Sequence, residues 1–448
     1  MKGLGMIVAK FGGTSVGSGS RIRAVAEIVA QRLSKNPVVV VSAAGGVTDR
    51  LLSAARTAMS QGTVEIGEIE RLQHGILDDL SLDRDLIAPE FEELHRLLRA
   101  LVTINDDSPK VMDRVVSFGE RISAKIVVAH FRDHGIASRN LTPQDIGLVT
   151  DSHFGAAEPL PEAEENIRKA LGKSTDVPVV TGFIGVDKRG HLTTLGRGGS
   201  DYSAAIIGAA LGAEEIQIWT DVNGIMTADP RIVNSARTVD RVSFDEAAEL
   251  ATFGAKVLHP KTIVPAVQRN IPVRILNSFA PQEQGTLIVA DGVPDREMTA
   301  LSARKNVTLL NIVSTRMLLA HGFMARLFEI FNRNRVSVDM VATSEVSVSL
   351  TLDPASPDAE HEIVSEIQKF SDVNIKRHKA ILCLVSARMK VDPTIPARAF
   401  STLAQNGITV EMISQGASRV NLGVVIDNRD TDRTLNLLHR EFFERVNV

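Results

Sequence analysis

"MIVAKFGGTSVGSGSRIRAVAEIVAQR", residues 6–32, joins a short apolar run to a helical pattern through a turn rich in glycine and hydroxyls. Met6 to Ala9 reads as a buried strand. Ile22, Val25, Ala26, Ile28 and Val29 recur at helical spacing. Lys10 to Ser20 is therefore a strand-to-helix turn. Such a turn lets backbone N–H groups approach an anion, and the helix N-terminus that follows favours negative charge. A tight turn carrying a solvated lysine satisfies the same residues, so this stretch alone leaves two readings open.

The pattern continues outward. "PVVVVSAA" (37–44), "PVVTGFIG" (178–185), "EIQIWTD" (215–221) and "IPVRIL" (271–276) read as strands buried on both faces. Helical patterns at 47–60, 65–80, 112–134, 201–212 and 244–253 lie between them. Alternating strands and helices predict an α/β domain whose largely parallel sheet is covered on both faces. Ligands of such sheets bind at the carboxyl ends of the strands. Here those ends carry Lys10-Phe11-Gly12-Gly13, Ser42 to Gly46, Thr181-Gly182 and Thr220-Asp221, which gathers glycines, hydroxyls and charge on one rim.

A chain of 448 residues is expected to form two to four domains at ~150 residues each. Its net charge of -4 argues against a nucleic-acid footprint, which needs a strongly basic face. The single cysteine, Cys383, sits in "ILCLV" and reads as a buried, inert thiol. No signal-peptide pattern opens the chain, and no apolar run approaches the ~20 residues that cross a bilayer. The expected location is the cytoplasm.

Residues 277–296, with Pro281, Gly285, Gly292 and Pro294, read as a domain boundary. Beyond it the chain repeats itself. "LLNIVSTRM" (309–317) matches "ILCLVSARM" (381–389), and "FMARLFEIFNRNRVSVDMV" (323–341) matches "IPARAFSTLAQNGITVEMI" (395–413), at a constant offset of 72 residues. Each copy reads strand, helix, strand, strand, helix, strand, the βαββαβ order of a ferredoxin-like unit.

Familiar nucleotide motifs are missing: there is no GxxxxGK[ST] and no GxGxxG after a strand. No His/Cys spacing indicates a metal site. What stands out is "TTLGRGGSDYSAAIIGAALGA" (193–213) and "WTDVNGIMTADPR" (219–231). In the first, three glycines surround Arg197 just before a helix. Ser200 and Asp201 stand at its start, where Ser200 is a strong capping candidate. A guanidinium in a Gly-rich loop suits a carboxylate or phosphate.

Taken together, "KFGGTSV" (10–16), "GRGGSD" (196–201), "WTDVNGIMTADPR" and "FGAKVLHP" (253–260) resemble the aspartokinases, monofunctional and of the lysine-sensitive type. The resemblance runs over essentially the whole chain. It implies an amino-acid kinase domain over 1–290, a linker and first regulatory strand over 291–306, and two ferredoxin-like ACT domains over 307–380 (effector-binding) and 381–448. The implied reaction is phosphorylation of the side-chain carboxylate of L-aspartate by ATP, with Mg²⁺ held mainly by the nucleotide phosphates and no protein metal site. That carboxylate, with a reference pKa of ~3.9, is already ionised near neutral pH, so no general base is needed. Catalysis reduces to holding two anions together.

Carried over residue by residue, the resemblance makes Lys10, Arg197 and Asp201 catalytic. Lys10 neutralises the transferring phosphoryl group, and Asp201 orients the cations. Lys10, Phe11, Gly12, Gly13, Thr220, Asp221, Met226, Arg231, Lys256 and Val257 fall at nucleotide positions; Met226 stands where some members carry tyrosine. Aspartate falls to Thr48, Glu120, Arg197, Gly198, Gly199 and Ser200, with Glu120 on the α-ammonium. An effector site, expected to take L-lysine, comprises Met317, His321, Gly322, Phe323, Met324, Ser337, Val338, Asp339, Thr343, Ser344 and Glu345. Asp339 and Glu345 offer two carboxylates to its two ammonium groups. The second copy carries Glu411, Gly416 and Ala417 at the offsets of Asp339, Ser344 and Glu345, so the copies are not equivalent. Ala320 departs from lysine-sensitive members, which tend to carry a hydroxyl there. The family implies a homodimer or higher assembly through the ACT domains, with neither nucleic acid nor membrane as partner. Competing readings are a kinase of another small carboxylate on the same fold and a non-catalytic amino-acid sensor.

Overall fold

A computed structural model describes residues 5–172, 175–252, 260–290, 296–314, 321–352, 356–416 and 420–444. They divide into two compact units.

The first unit carries strands β1 (Ile7–Phe11), β2 (Val38–Val41), β3 (Ser138–Leu141), β4 (Val149–Thr150), β5 (Val177–Thr181), β6 (Ile184–Asp187), β7 (Leu192–Thr194), β8 (Glu215–Thr220), β9 (Arg241–Ser243), β10 (Val273–Asn277) and β11 (Thr286–Val289). Among the described residues eight of them form one sheet in the order β3-β5-β2-β1-β8-β10-β11-β9. The pairs from β3 to β10 are parallel, and β11 runs antiparallel to β10. The valines of β2 and all five residues of β1 are buried, as a sheet covered on both faces requires. β4, β6 and β7 make a small separate sheet.

Its helices are α1 (Gly19–Ala30), α2 (Val47–Gln61), α3 (Gly67–Leu80), α4 (Ala88–Ile104), α5 (Pro109–Val116), α6 (Phe118–Asp133), α7 (Pro143–Ile146), α8 (Glu162–Leu171), α9 (Gly199–Leu211) and, later in the chain, α11 (Val264–Gln268); α10 (Phe244–Thr252) belongs, after its first residue, to the second unit. Two readings need correction. The expected helix 112–134 is two helices, α5 and α6, meeting at Ser117. The expected strand 178–185 is broken at Phe183, whose φ of +69° turns the chain between β5 and β6.

The second unit is built on β12 (Ala300–Val313), α12 (Phe323–Arg333), β13 (Val338–Thr343), β14 (Ser347–Leu352), α13 (Pro357–Gln368), β15 (Asp372–Val385), α14 (Thr394–Gln405), β16 (Met412–Ser414), β17 (Asn421–Asp427) and α15 (Thr431–His439). Among the described residues its sheet runs β13-β14-β12-β15-β17-β16. β12 and β15 pair antiparallel over most of their length, and each serves both copies of the repeat. The first copy is β12 from Val307 onward, α12, β13, β14, α13 and the start of β15. The second begins with the end of β15, and its fourth-strand place is taken by Ala300–Lys305, ahead of the first copy in the chain. The expectation of a closing strand after the second copy's last helix is therefore corrected. The repeat also shows in the backbone: Asn306 (φ +63°) and His378 (φ +55°), 72 residues apart in the sequence, bend the two long strands where one copy gives way to the other.

Residues 226–239 and 245–252 fold with this second unit. Leu301 N–H donates to the carbonyl of Thr227 (2.8 Å), and the Thr227 hydroxyl meets His439 Nε2 at 3.0 Å. Cys383 is buried in β15, and burial drives its thiol pKa well above the usual range. No helix among the described residues is long and apolar enough to cross a membrane.

Candidate active site

The carboxyl ends of β1, β2, β5 and β8 form the rim expected from the sequence. After β1, Gly12 N–H donates to Trp219 O (3.0 Å) in β8. Gly13 passes so close to the loop after β2 that a Cβ there would lie 2.7 Å from the Ala43 carbonyl oxygen. Only glycine fits, and the contact is closed by Gly45 N–H on Gly13 O (3.0 Å). Ser18 then caps α1. Ser15 and Ser278, 263 residues apart, join their hydroxyls at 2.7 Å, and Ser278 Oγ donates to Thr220 O. This stitch ties the loops after β1, β8 and β10. Nothing local in the sequence pairs the two serines.

Lys10 is not the solvated strand-end lysine of the sequence reading. It is 9% exposed, and its Nζ stands 2.6 Å from Asp201 Oδ1 in the first turn of α9. The cap of α9 is Gly198 (φ +70°), so Ser200 is not the cap. Its hydroxyl lies buried beside Gly182, where a Cβ would come within 2.8 Å of Ser200 Cβ. Phe183 holds its positive φ because its N–H donates to Ser203 Oγ (2.9 Å) of the same helix. Arg197 is exposed and makes no ion pair or hydrogen bond among the described residues.

Glu120, in the first turn of α6, is buried. One carboxylate oxygen accepts the Ala43 N–H (3.0 Å), and Oε2 has no partner among the described residues. Burial pushes its pKa up to about 8, against the pull of the Ala43 hydrogen bond and of the Lys10 charge. Buried Ser123 Oγ, one turn on, and Thr181 Oγ1, at the end of β5, also lack partners among the described residues. Neither was singled out as a ligand from the sequence, although Thr181 was read as a strand end on the rim. Buried polar atoms left open in this way call for an occupant.

On the nucleotide side, the Phe11 ring is core, stacked on Trp219 at 5.9 Å, so only its backbone belongs to the rim. Thr220 and exposed Asp221 end β8, and half-buried Thr48 sits in the first turn of α2. Met226 and Arg231 belong to the second unit. Met226 accepts the Thr238 hydroxyl on sulfur, and Arg231 is paired with Asp229 at 2.6 Å. Lys256 and Val257 lie outside the described residues.

In the first regulatory copy, Gly322 (φ +84°) caps α12 beside exposed His321. Phe323, half-buried, packs edge-on against Phe370 at 5.6 Å; Met324 and Val338 lean on the same core. Ser337, Thr343, Ser344 and Glu345 are exposed, the last three around the β13–β14 turn. Asp339 corrects the sequence reading of an open carboxylate: Arg304 holds its Oδ1 at 2.9 Å. Met317 lies outside the described residues.

An amino acid kinase family model matches residues 5–277, and an ACT domain model matches residues 382–442. Aspartokinase 1 of Arabidopsis thaliana chloroplasts is 40% identical over 98% of this chain and 80% of its own length. The lysine-sensitive aspartokinase 3 of Escherichia coli is 35% identical over 98% of this chain and 99% of its own. The crystal structure of E. coli aspartokinase III in complex with aspartate and ADP superposes with a TM-score of 0.81 at 34% identity, covering 98% of this chain and 100% of the other.

Proposed function

The chain belongs to the aspartokinases, and from that premise we propose how its residues divide the work of phosphorylating the side-chain carboxylate of L-aspartate with ATP. The carboxylate oxygen attacks the γ-phosphorus, the bond to the β-phosphate oxygen breaks, and ADP leaves with its electron pair. No proton moves. The barrier is the approach of two anions, so the site must be cationic where they meet. Lys10 faces the transferring phosphoryl group, and Asp201 keeps its ammonium oriented. Arg197 forks a substrate carboxylate, supported by Ser200 and Thr48 hydroxyls and the glycines 198 and 199. Gly12, Gly13 and the ends of β1 and β8 receive the nucleotide, with Lys256 and Val257 adding to it; Mg²⁺ arrives on its phosphates.

The observation that carries this reading is Glu120. A buried acid with one oxygen unpartnered keeps its proton unless a cation joins it, and the α-ammonium of aspartate is that cation. An acyl-phosphate trapping assay with hydroxylamine, ATP and a panel of carboxylates tests the assignment. Hydroxamate from L-aspartate is expected; hydroxamate from another carboxylate alone rejects it.

Regulation is part of the same proposal. L-lysine docks its α-carboxylate at the start of α12 and its ammonium groups near Asp339 and Glu345 in the first ACT copy. The lysine-sensitive relative and the non-equivalence of the two copies support this. Because Arg304 already neutralises Asp339, exposed Glu345 carries more of the recognition. Assembly of subunits through the ACT sheet, whose edge strands are β13 and β16, completes the reading; half-exposed Ile413 on β16 is an apolar contact suited to it. Millimolar lysine lowering activity is the expected result, and unchanged activity rejects the effector assignment.

A further inference from the structure

Asp113 lies on α5, seven residues before Glu120, and is 3% exposed. Three donors converge on its carboxylate. Oδ2 accepts the N–H of Gly155 (2.9 Å) and of Thr194 (2.8 Å), and Oδ1 accepts the Thr194 hydroxyl (2.7 Å). Thr194 ends β7, and three residues later comes Arg197. Between them the chain turns at Gly196 (φ +78°), which packs on the Gly155 strip: a Cβ at Gly196 would stand 3.2 Å from Gly155 O. Asp113 therefore grips both the strand that enters the Arg197 bend and the loop that backs it. At its other end, α5 continues into α6 through Ser117, which keeps helical backbone angles (φ −59°, ψ −22°). α6 presents Glu120 in its first turn.

We infer that Asp113 is a positioning residue for aspartate: it ties the element bearing Glu120 to the loop bearing Arg197, and so sets the spacing between the group that reads the substrate ammonium and the group that reads a carboxylate. The inference rests on the reading of Glu120 and Arg197 as the aspartate ligands. A buried acid bonded only to backbone and a threonine has no reacting atom to touch. Its effect passes through the two residues it connects, and it should appear in aspartate binding ahead of nucleotide binding. The sequence signal, an acid within "KVMDRVV", is that of any helix surface, which is why it escapes a local reading.

The hydrogen-bond pattern makes a discriminating set of variants. In Asp113→Asn the amide oxygen accepts the two N–H groups while the amide nitrogen donates to the Thr194 hydroxyl, so all three bonds survive without charge. Asp113→Ala loses all three, and Thr194→Val loses only the hydroxyl bond. Steady-state kinetics are measured on the full-length protein, with thermal melting as the check on folding. Asp113→Ala is expected to raise KM for L-aspartate about tenfold or more while KM for ATP stays within about twofold. Thr194→Val should move the same parameter by about threefold, and Asp113→Asn should restore near-wild-type values. If Asp113→Ala does not fold, Thr194→Val decides. Equal changes in both KM values, an unchanged aspartate KM in folded Thr194→Val, or an Asp113→Asn protein as impaired as the alanine variant overturns the inference. Wild-type protein that turns over no aspartate at all rejects the underlying reading instead, and is seen before any variant is made.

Discussion

The rim of the first unit and the repeat of the second handle buried charge in opposite ways. On the rim, valences stay open: Glu120 Oε2, Ser123 Oγ and Thr181 Oγ1 are buried without partners among the described residues, and Arg197 waits unpaired at the surface. In the regulatory sheet the corresponding acids are already answered. Arg304 holds Asp339 in the first copy; Lys376 and Lys379 hold Glu411 in the second, where Lys379 also reaches Asp427 at 3.2 Å. Partnerless buried atoms also occur away from the rim, at Gln73, His130 and Ser302 among the described residues, but the rim is where a buried acid and two hydroxyls keep open atoms beside the strand ends, as the proposed entry of a charged substrate requires. A satisfied pair can still respond to a ligand, but only by exchanging partners, which makes its effects smaller and conditional.

That contrast orders the expected effects. Lys10→Ala should cost the most, a fall in kcat of about 10²–10³-fold or more, because it removes the cation proposed to face the phosphoryl group. It also leaves the half-buried Asp201 unpaired, so Lys10→Ala paired with Asp201→Asn separates the catalytic loss from the folding cost. Activity that returns in the double variant would show the lysine to be structural. Next, Arg197→Ala should raise the aspartate KM by about 10–100-fold, and Arg197→Lys should recover only part of it, since an ammonium has no fork. A change confined to the ATP KM would assign Arg197 to the other substrate.

Glu120 sharpens the comparison through pH. With its pKa at about 8, the empty site holds a neutral acid at pH 7, whereas the bound ammonium needs the carboxylate. Aspartate KM should fall about tenfold per unit as pH rises from 6 towards 8, and Glu120→Gln should flatten the slope. The stability sign is opposite to that of an ion-paired acid. The folded state holds this proton more tightly than the unfolded chain, so stability is lost as pH rises from the ordinary glutamate range to about 8. Glu120→Gln should therefore gain melting temperature over wild type at pH 8 and little at pH 5.

The smallest effects belong to the regulatory sheet. Glu345→Ala should weaken lysine inhibition by about three- to tenfold in half-inhibiting concentration and leave uninhibited kcat unchanged. Glu411→Ala, in the copy whose acid is doubly held, should leave the lysine response alone. Equal relief from both would make the copies equivalent sensors.

Much of the rim was legible because its motifs are local: the Gly12-Gly13 turn, the Arg197 loop and the Thr220-Asp221 strand end each lie within a few residues. What escaped depends on pairing across the chain. Phe183 sits inside an apolar run that any periodicity reading extends through, and only Ser203, twenty residues on, explains its turn. The 72-residue repeat was plain in the sequence, but strand pairing is not written in either copy. Nothing in Ala300–Lys305 says that it completes the copy that follows much later. Arg304 likewise reaches Asp339 across the sheet, and so closes a carboxylate that looked open.

Calorimetric titration of L-aspartate at pH 7, repeated in buffers of different ionisation enthalpy, tests most directly the claim that Glu120 is an open valence filled by the substrate ammonium. Close to one proton should leave the protein per aspartate bound, and Glu120→Gln should bind more weakly with no proton released. Wild-type binding whose enthalpy is the same in every buffer, or unchanged affinity in Glu120→Gln, would contradict it.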